Sequence, residues 1–107
     1  MNFIETRGND GTRPYNVSFS QAILSPIASF GGLYVPLKLP DLGEVFLQKH
    51  LTSSYKEMAM DMLMCFGIDI DKDVLYEALD LYDNFDDASN PVPVVKVQEN
   101  LYVSELY

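Results

Sequence analysis

The segment from Val17 to Pro36 constrains the fold of this 107-residue chain more than any other stretch. Ser18, followed three residues later by Gln21, forms a capping box, in which each side chain satisfies a backbone N–H of the first helical turn. Pro26 lacks an N–H and disfavours helical backbone at the residue before it. The sequence therefore predicts a short helix over about residues 19–25.

A pair of glycines follows this helix and leads the chain into a predicted strand. Gly31-Gly32 permits positive φ or a close backbone approach, and the β-prone run Leu33-Tyr34-Val35 comes directly after it. Upstream, Asn2 to Arg7 is another β-prone segment, and the cluster Gly8-Asn9-Asp10-Gly11 predicts a turn after it.

Three further helix starts appear in the middle of the chain. Asp41 with Glu44 predicts a capping pair for a short helix that ends near His50. The apolar stripe of this helix consists of Leu42, Val45 and Phe46. The third start, at Asp71, predicts a helix to about Asp83.

The second of these starts, Ser54 with Glu57, opens the clearest helix in the sequence, and Gly67 ends it. Apolar residues recur there at intervals of three and four, which predicts a core-facing stripe. Met60 and Met64 fall beside this stripe and are expected to be partly available to a neighbouring domain. The stripe consists of Tyr55, Met58, Ala59, Met62, Leu63 and Phe66.

The last part of the chain reads as a β-hairpin. Its strands are the runs 93–97 and 101–106, and Gln98-Glu99-Asn100 forms the turn. The predicted fold class is α+β, with a short N-terminal strand, three to four helices and a C-terminal β-hairpin. The second strand runs to the end of the sequence with nothing to cover its edge, which indicates a chain cut from something longer.

Composition excludes several classes of partner. The formal net charge of −9 argues against nucleic acid and anionic membranes, which attract basic surfaces. Eight carboxylates and a single lysine lie between residues 69 and 87, forming either a solvated face or a surface for a basic partner. Cys65 is the only cysteine, and no apolar run approaches membrane-spanning length, so a cytoplasmic protein is expected.

No set of side chains has the spacing of a catalytic or metal site. The acidic run at 69–73 lacks the glycine and glutamate that an EF-hand calcium loop requires. His50 stands without a second histidine or cysteine at ligand spacing and is expected at the surface, and all five lysines are expected in solvent. Arg7 and Arg13 are candidates for an anion contact, with an ion pair to the acidic surface as the alternative.

Two groups of motifs resemble the amino-terminal domain of threonine synthases, a family of pyridoxal-phosphate enzymes. That family begins with a strand ending in Ser-Thr-Arg-Gly, continues with Phe-Ser-Glu-Ala and a short helix, and then reads Asp-Gly-Gly-Leu-Tyr-Val-Pro. The matching segments here are Thr6-Arg7-Gly8, the stretch from Val17 to Pro36, and Leu39-Pro40. This sequence departs from the family pattern at Glu5, Gln21, Pro26 and Phe30, where the family has Ser, Glu, Gly and Asp.

The resemblance implies a division of the chain and a role for it. Residues 1–91 would be the N-terminal domain, and residues 92–107 would begin the pyridoxal-phosphate-dependent catalytic domain. In the family the corresponding hairpin leads into His-Gly-Pro-Thr and then the lysine that forms the Schiff base, so the resemblance places the catalytic and cofactor-binding residues outside this chain. The residues it implies near the active site are Glu105, Tyr107, Thr6 and Arg7, with packing as the alternative role for each.

On this resemblance the parent enzyme is a lyase of threonine biosynthesis that converts O-phospho-L-homoserine and water into L-threonine and phosphate. The chain by itself is expected to be inactive and not to bind the cofactor. Its expected partner is the remainder of the same polypeptide, and the exposed hairpin edge would permit a strand-mediated dimer. The alternative hypothesis is a noncatalytic acidic module that recognises a basic protein partner.

Overall fold

The computed structural model describes residues 1–106 and confirms the α+β class, with four helices and two small antiparallel sheets. The helices are α1 (Phe19–Leu24), α2 (Gly43–His50), α3 (Tyr55–Cys65) and α4 (Lys72–Leu79). The strands are β1 (Phe3–Glu5), β2 (Asn16–Val17), β3 (Tyr34–Pro36), β4 (Val94–Gln98) and β5 (Leu101–Ser104). Two 3-10 turns complete the list, at Ser29–Gly31 and Asp80–Asn84.

The first sheet has the order β2-β1-β3, with both pairs antiparallel. Phe3 on the central strand faces Val17 on one side and Pro36 on the other. Side chains alternate between the two faces of a strand, so Phe3 and Glu5 point the same way, and both are buried. This sheet therefore places a carboxylate among buried residues, one position before Thr6.

The capping predictions for α1, α3 and α4 are confirmed. Ser18 and Gln21 form the capping box of α1, and the helix ends at Leu24, as expected from Pro26. Ser54 and Glu57 do the same for α3, and Gly67 beyond its end has φ +58°. At α4, Asp71 Oδ1 accepts a hydrogen bond from the N–H of Asp73 at 2.8 Å.

The predicted start of α2 is wrong. Its N-cap is Leu42, which makes no side-chain cap, and Asp41 Oδ1 instead accepts the N–H of Gly43 at 3.2 Å. Gly43 adopts φ +64°, a left-handed conformation that removes the regular spacing between Asp41 and Glu44. The predicted apolar stripe is also incomplete, because Val45 is 84% exposed.

The main core lies between α3, α4 and the loop that joins them. Its buried residues are Met60, Ile68, Leu75 and Leu79. Met60 is only 4% exposed, so the prediction that it is partly available to a neighbouring domain is wrong. Met60 and Met64, which fall beside the predicted stripe, both pack in the core that α3 shares with α4. The buried face of α3 is therefore rotated around the helix axis relative to the predicted stripe.

The end of α4 and the C-terminal hairpin differ from prediction in detail. The α-helix ends at Leu79 and the chain continues as a 3-10 turn to Asn84, where the sequence predicted one helix to about Asp83. The hairpin is confirmed, but Gln98 belongs to β4 and pairs with Leu101, so the turn is Glu99-Asn100. Asn100 adopts φ +59°, as a tight turn requires.

No helix among residues 1–106 is long and apolar enough to cross a membrane, since the longest, α3, has 11 residues.

Candidate functional site

Thr6 lies directly after β1 and is fixed by two hydrogen bonds to one residue. Its N–H donates to the carbonyl of Leu33, and its Oγ1 accepts the N–H of Leu33, both at 3.0 Å. The backbone and the side chain of Thr6 are therefore held against the start of β3. The side chain serves as a structural contact here, which is the packing role that the sequence left open.

Arg7 lies next to the turn before β3 and keeps most of its hydrogen-bonding capacity. Its Nη1 donates to the carbonyl of Phe30 at 3.3 Å. Within residues 1–106 it forms no ion pair, and it is exposed. A guanidinium carries five donors, so Arg7 has donors directed to solvent that suit a phosphate or a carboxylate.

Arg13 behaves differently from Arg7. Its Nη1 lies 2.7 Å from Asp10 Oδ2, and this ion pair belongs to the loop after β1. Hydrogen bonds from Thr12 lower the pKa of Asp10 to about 2, with a smaller contribution from Arg13. The structure thus separates the two arginines that the sequence treated alike, because Arg13 takes the ion pair and Arg7 does not.

The glycines of the turn allow β1 and β3 to approach each other here. A Cβ at Gly32 would lie 3.0 Å from Thr6 Oγ1 and 3.1 Å from the carbonyl oxygen of Ser29. Gly31 adopts φ +69°. Phe30 also has a left-handed backbone, at φ +55° and ψ +27°, which a bulky residue rarely adopts. We call Thr6, Arg7, Phe30, Gly31 and Gly32 the strand-end cluster.

Glu5 supports the strand-end cluster through its hydrogen bonds with Ser29, the residue before Phe30. The sequence reasoning missed this role of Glu5. Its Oε1 accepts the N–H of Ser29 at 2.9 Å and the Ser29 hydroxyl at 2.6 Å. Its Oε2 accepts the side-chain N–H of Asn9 at 2.8 Å. These bonds, the Ser29 hydroxyl foremost, lower the pKa of Glu5. The alternation of Phe3 and Glu5 on a short strand was the available signal that this carboxylate points inward.

The remaining candidates belong to the C-terminal hairpin. Glu105 is half-buried, and its N–H donates to the carbonyl of Pro93 at 2.9 Å. Tyr107 lies outside the described residues. Thr6 and Arg7 are held by the first sheet and Glu105 follows the second, so the predicted residues are anchored in two separate sheets.

A second polar cluster joins α2 to α3 and corrects the prediction for His50. The imidazole, expected at the surface, is only 3% exposed because Phe46, Ser53 and Asp61 enclose it. Its Nδ1 lies 2.7 Å from the Ser53 hydroxyl. Its Nε2 is 3.1 Å from Asp61 Oδ2 but makes no well-aligned hydrogen bond.

Lys49 also pairs with Asp61, and this contact is the main reason that the pKa of Asp61 is lowered. A polar cavity of about 460 Å³ lies beside this cluster. The charges of Lys49 and Asp61 already pair with each other, so the cluster is best explained as a link between α2 and α3.

The described lysines do not fit a covalent cofactor site. Nucleophilic amines in such sites are desolvated and have a lowered pKa. Here Asp61 raises the pKa of Lys49, and Asp80 with Asp83 raises that of Lys56. Lys38 and Lys72 are exposed, and Lys96 pairs with Glu99 at 2.8 Å. No group of three potential metal ligands is found within residues 1–106.

Comparison with solved structures identifies the class of protein to which this fold belongs. The chain resembles the crystal structure of a PLP-bound threonine synthase from Brucella melitensis, with a TM-score of 0.79 and 29% sequence identity. The match covers 98% of this chain and 22% of that one. The fold is therefore one found within a much larger enzyme chain.

Sequence comparison identifies the family. The profile described as "Threonine synthase N terminus" matches residues 2–81, and the chain belongs to this family. Threonine synthase from Schizosaccharomyces pombe is 26% identical over 110 residues, and that from Methylobacillus glycogenes is 29% identical over 115. These matches cover 100% and 99% of this chain, but only 20% and 23% of the two relatives.

Proposed function

We propose that this chain is the N-terminal part of a threonine synthase, a pyridoxal-phosphate-dependent lyase that converts O-phospho-L-homoserine and water into L-threonine and phosphate. The observation that carries this proposal is the structural match over 98% of the chain to a PLP-bound threonine synthase. The family match over residues 2–81 supports it independently.

The same proposal assigns the chemistry to the rest of the polypeptide. The relatives are about five times as long as this chain, and the two best-paired lysines here have raised rather than lowered pKa values. Pyridoxal phosphate supplies the electron sink for such eliminations when it is bound. The residues of this chain would pack beside the cofactor-binding domains and close one side of the active site.

The proposed division of the chain falls after residue 91. Residues 1–91 contain the first sheet and all four helices, whereas β4 and β5 pair only with each other among the described strands. An isolated two-stranded hairpin is marginally stable in water. We propose that residues 92–107 begin the catalytic domain and that the β4–β5 hairpin completes its packing there. An edge left open would also accept a second copy of the chain.

Arg7 is the residue of this chain that we propose to lie nearest to the phosphorylated substrate. It is exposed, it has unpaired donors, and Thr6 and the turn at Gly31-Gly32 fix its backbone. Glu105 and Tyr107 are proposed as its neighbours from the hairpin side, since they would adjoin the cofactor lysine in sequence.

The proposal is tested with the complete polypeptide encoded by the gene. We expect a stable pyridoxal-phosphate absorbance and the formation of L-threonine from O-phospho-L-homoserine. Arg7→Gln should raise KM for this substrate, while Arg13→Gln, the matched control in an existing ion pair, should not. A complete polypeptide that neither binds the cofactor nor forms threonine would refute the proposed function. Equal effects of the two substitutions would refute only the role of Arg7.

The alternative is a noncatalytic module whose acidic surface recognises a basic protein. It is favoured by the charge of −9 and by the carboxylates between residues 69 and 87. Several of these already have partners within the chain: Ser20 donates to Asp69, and Lys56 pairs with Asp80 and Asp83. Absence of turnover by the complete polypeptide, together with saturable binding to a basic protein, would favour this alternative.

A further inference from the structure

An open apolar groove of about 370 Å³ lies between α3 and the end of α4. Two tyrosines form its walls, and methionine side chains of α3 lie between them. The residues that line the groove are Tyr55, Met58, Ala59, Met62, Leu63, Leu79 and Tyr82. Five of these seven belong to the stripe that the sequence predicts to face a core.

The core of this chain leaves part of that stripe uncovered. Met60, which is 4% exposed, packs with Leu75 and Leu79 on one side of α3. Met58 and Met62 lie toward the other side, are only half-buried, and are not among the described residues that pack on the core. A row of apolar side chains at helical spacing is typical of a buried face, so this part of α3 has the character of a surface that a partner covers.

The walls of the groove are ordered by aromatic contacts. The ring centroids of Tyr55 and Tyr82 are 4.8 Å apart, and those of Tyr82 and Phe85 are 5.0 Å apart. Tilted aromatic pairs at this distance are mutually stabilising. The methionines between them are flexible and polarisable, which allows them to fit around an inserted apolar side chain.

The charge at the rim selects the kind of segment that fits. Lys56 lies next to Tyr55 and pairs with Asp80 at 2.8 Å and with Asp83 at 2.7 Å. Two carboxylates thus share one ammonium group, and the rim keeps a negative excess on a chain whose net charge is −9. An apolar segment that carries a lysine or an arginine complements both the groove and its rim.

We propose that this groove is the docking surface for an apolar, basic segment of the cofactor-binding part of the same polypeptide. The inference rests on the proposed function, since it requires the rest of a threonine synthase to follow this chain. That remainder accounts for about four fifths of each relative, so it is large enough to supply the segment. The docked segment would tie the α3–α4 unit to the catalytic domains.

Methionine oxidation tests this docking directly. The 107-residue chain and the complete polypeptide are treated with dilute hydrogen peroxide, and sulfoxide at each methionine is followed by peptide mass spectrometry. We expect oxidation of Met58 and Met62 to slow several-fold in the complete polypeptide. Met60, buried in the core already, serves as the internal control and should react slowly in both.

Substitutions at one groove position test the chemistry of the partner. In the complete polypeptide, Met62→Lys should restore rapid oxidation of Met58, because a buried like charge would repel the basic segment. Met62→Leu keeps the apolar surface and should leave Met58 protected. Met62→Glu should release the segment less than Met62→Lys does. A larger effect of the glutamate would contradict a basic partner.

The outcomes separate this inference from the function on which it rests. An active complete polypeptide in which Met58 and Met62 react as fast as in the 107-residue chain overturns the docking and leaves the function standing. Protection that grows with the concentration of the 107-residue chain alone also overturns it, in favour of a second copy. A complete polypeptide without threonine synthase activity would refute both the docking and the proposed function.

Discussion

Phe30 is the residue whose replacement tests the backbone geometry of the strand-end cluster most sharply. It has a left-handed backbone at φ +55°, and the residue is 64% exposed. The left-handed conformation costs an L-residue about 1–2 kcal/mol, and asparagine is among the residues that tolerate it best. Phe30→Asn should therefore stabilise the chain, although it removes an aromatic ring.

The size of the effect follows from two opposing contributions. Full burial of a phenylalanine side chain stabilises by about 1.5–3 kcal/mol, and this ring is roughly one third buried, so its loss costs about 0.5–1 kcal/mol. Relief of the backbone strain contributes about 1–2 kcal/mol, which leaves a net gain of about 0.5–1 kcal/mol. With an unfolding entropy of about 2.1 cal/mol/K per residue, Tm should rise by about 2–5 °C.

Thermal unfolding of the chain, followed by far-UV circular dichroism, measures this change. Phe30→Leu is the matched control, because leucine keeps an apolar side chain and the strained backbone, and its Tm should not rise. The hydrogen bond from Arg7 ends on the backbone carbonyl of residue 30 and is retained in both variants. A Tm for Phe30→Asn at or below that of the unsubstituted chain would show that the turn is not strained as described.

Three further predictions concern the fold. Gly32→Ala should destabilise the chain by about 1–3 kcal/mol in urea unfolding, since its Cβ would meet the Ser29 carbonyl oxygen at 3.1 Å; an unchanged midpoint would contradict this contact. Ser20 lowers the pKa of Asp69 to about 2, so the stability from this contact is complete above about pH 4 and is lost as the pH falls toward 2. Asp69→Asn should therefore flatten the fall of Tm over that interval, and an unaltered profile would refute the contact. His50→Leu should lower Tm more than the exposed Gln48→Leu does, because only His50 is enclosed between α2 and α3.

Local rules predicted the helix starts well because capping depends on residues that are close in sequence. Ser18, Ser54 and Asp71 each cap the helix that the spacing predicted. The same rule failed at Asp41, where the left-handed backbone of Gly43 changed the spacing of the side chains. A glycine inside a capping pattern is therefore the sign that such a prediction needs care.

Tertiary contacts account for the remaining differences. The burial of His50 depends on Ser53 and on Asp61, which belongs to the next helix, and nothing in the spacing around His50 reports that packing. For Glu5, the alternation with Phe3 signals an inward side chain, but its partner could not be predicted, since Ser29 lies 24 residues away. The sequence correctly predicts that α3 has a buried apolar face, but it misplaces that face around the helix axis. The apolar stripe is wider than the surface that α4 covers, so the pattern alone does not show which edge of the stripe is buried.

The candidate site could be predicted only as far as its motifs. Thr6, Arg7 and the glycine pair were singled out from the sequence, and the structure brings them together at the end of β1. The difference between Arg7 and Arg13 could not be predicted, since both flank the same loop and only the folded geometry determines which one Asp10 binds.

Phosphate release from O-phospho-L-homoserine, measured side by side for the 107-residue chain and the complete polypeptide with pyridoxal phosphate present, tests the central claim most directly. We predict turnover by the complete polypeptide and none by the 107 residues alone. Sustained phosphate release by the shorter chain, with threonine formed in equal amount, would contradict the view that its residues frame a site whose reacting groups lie elsewhere.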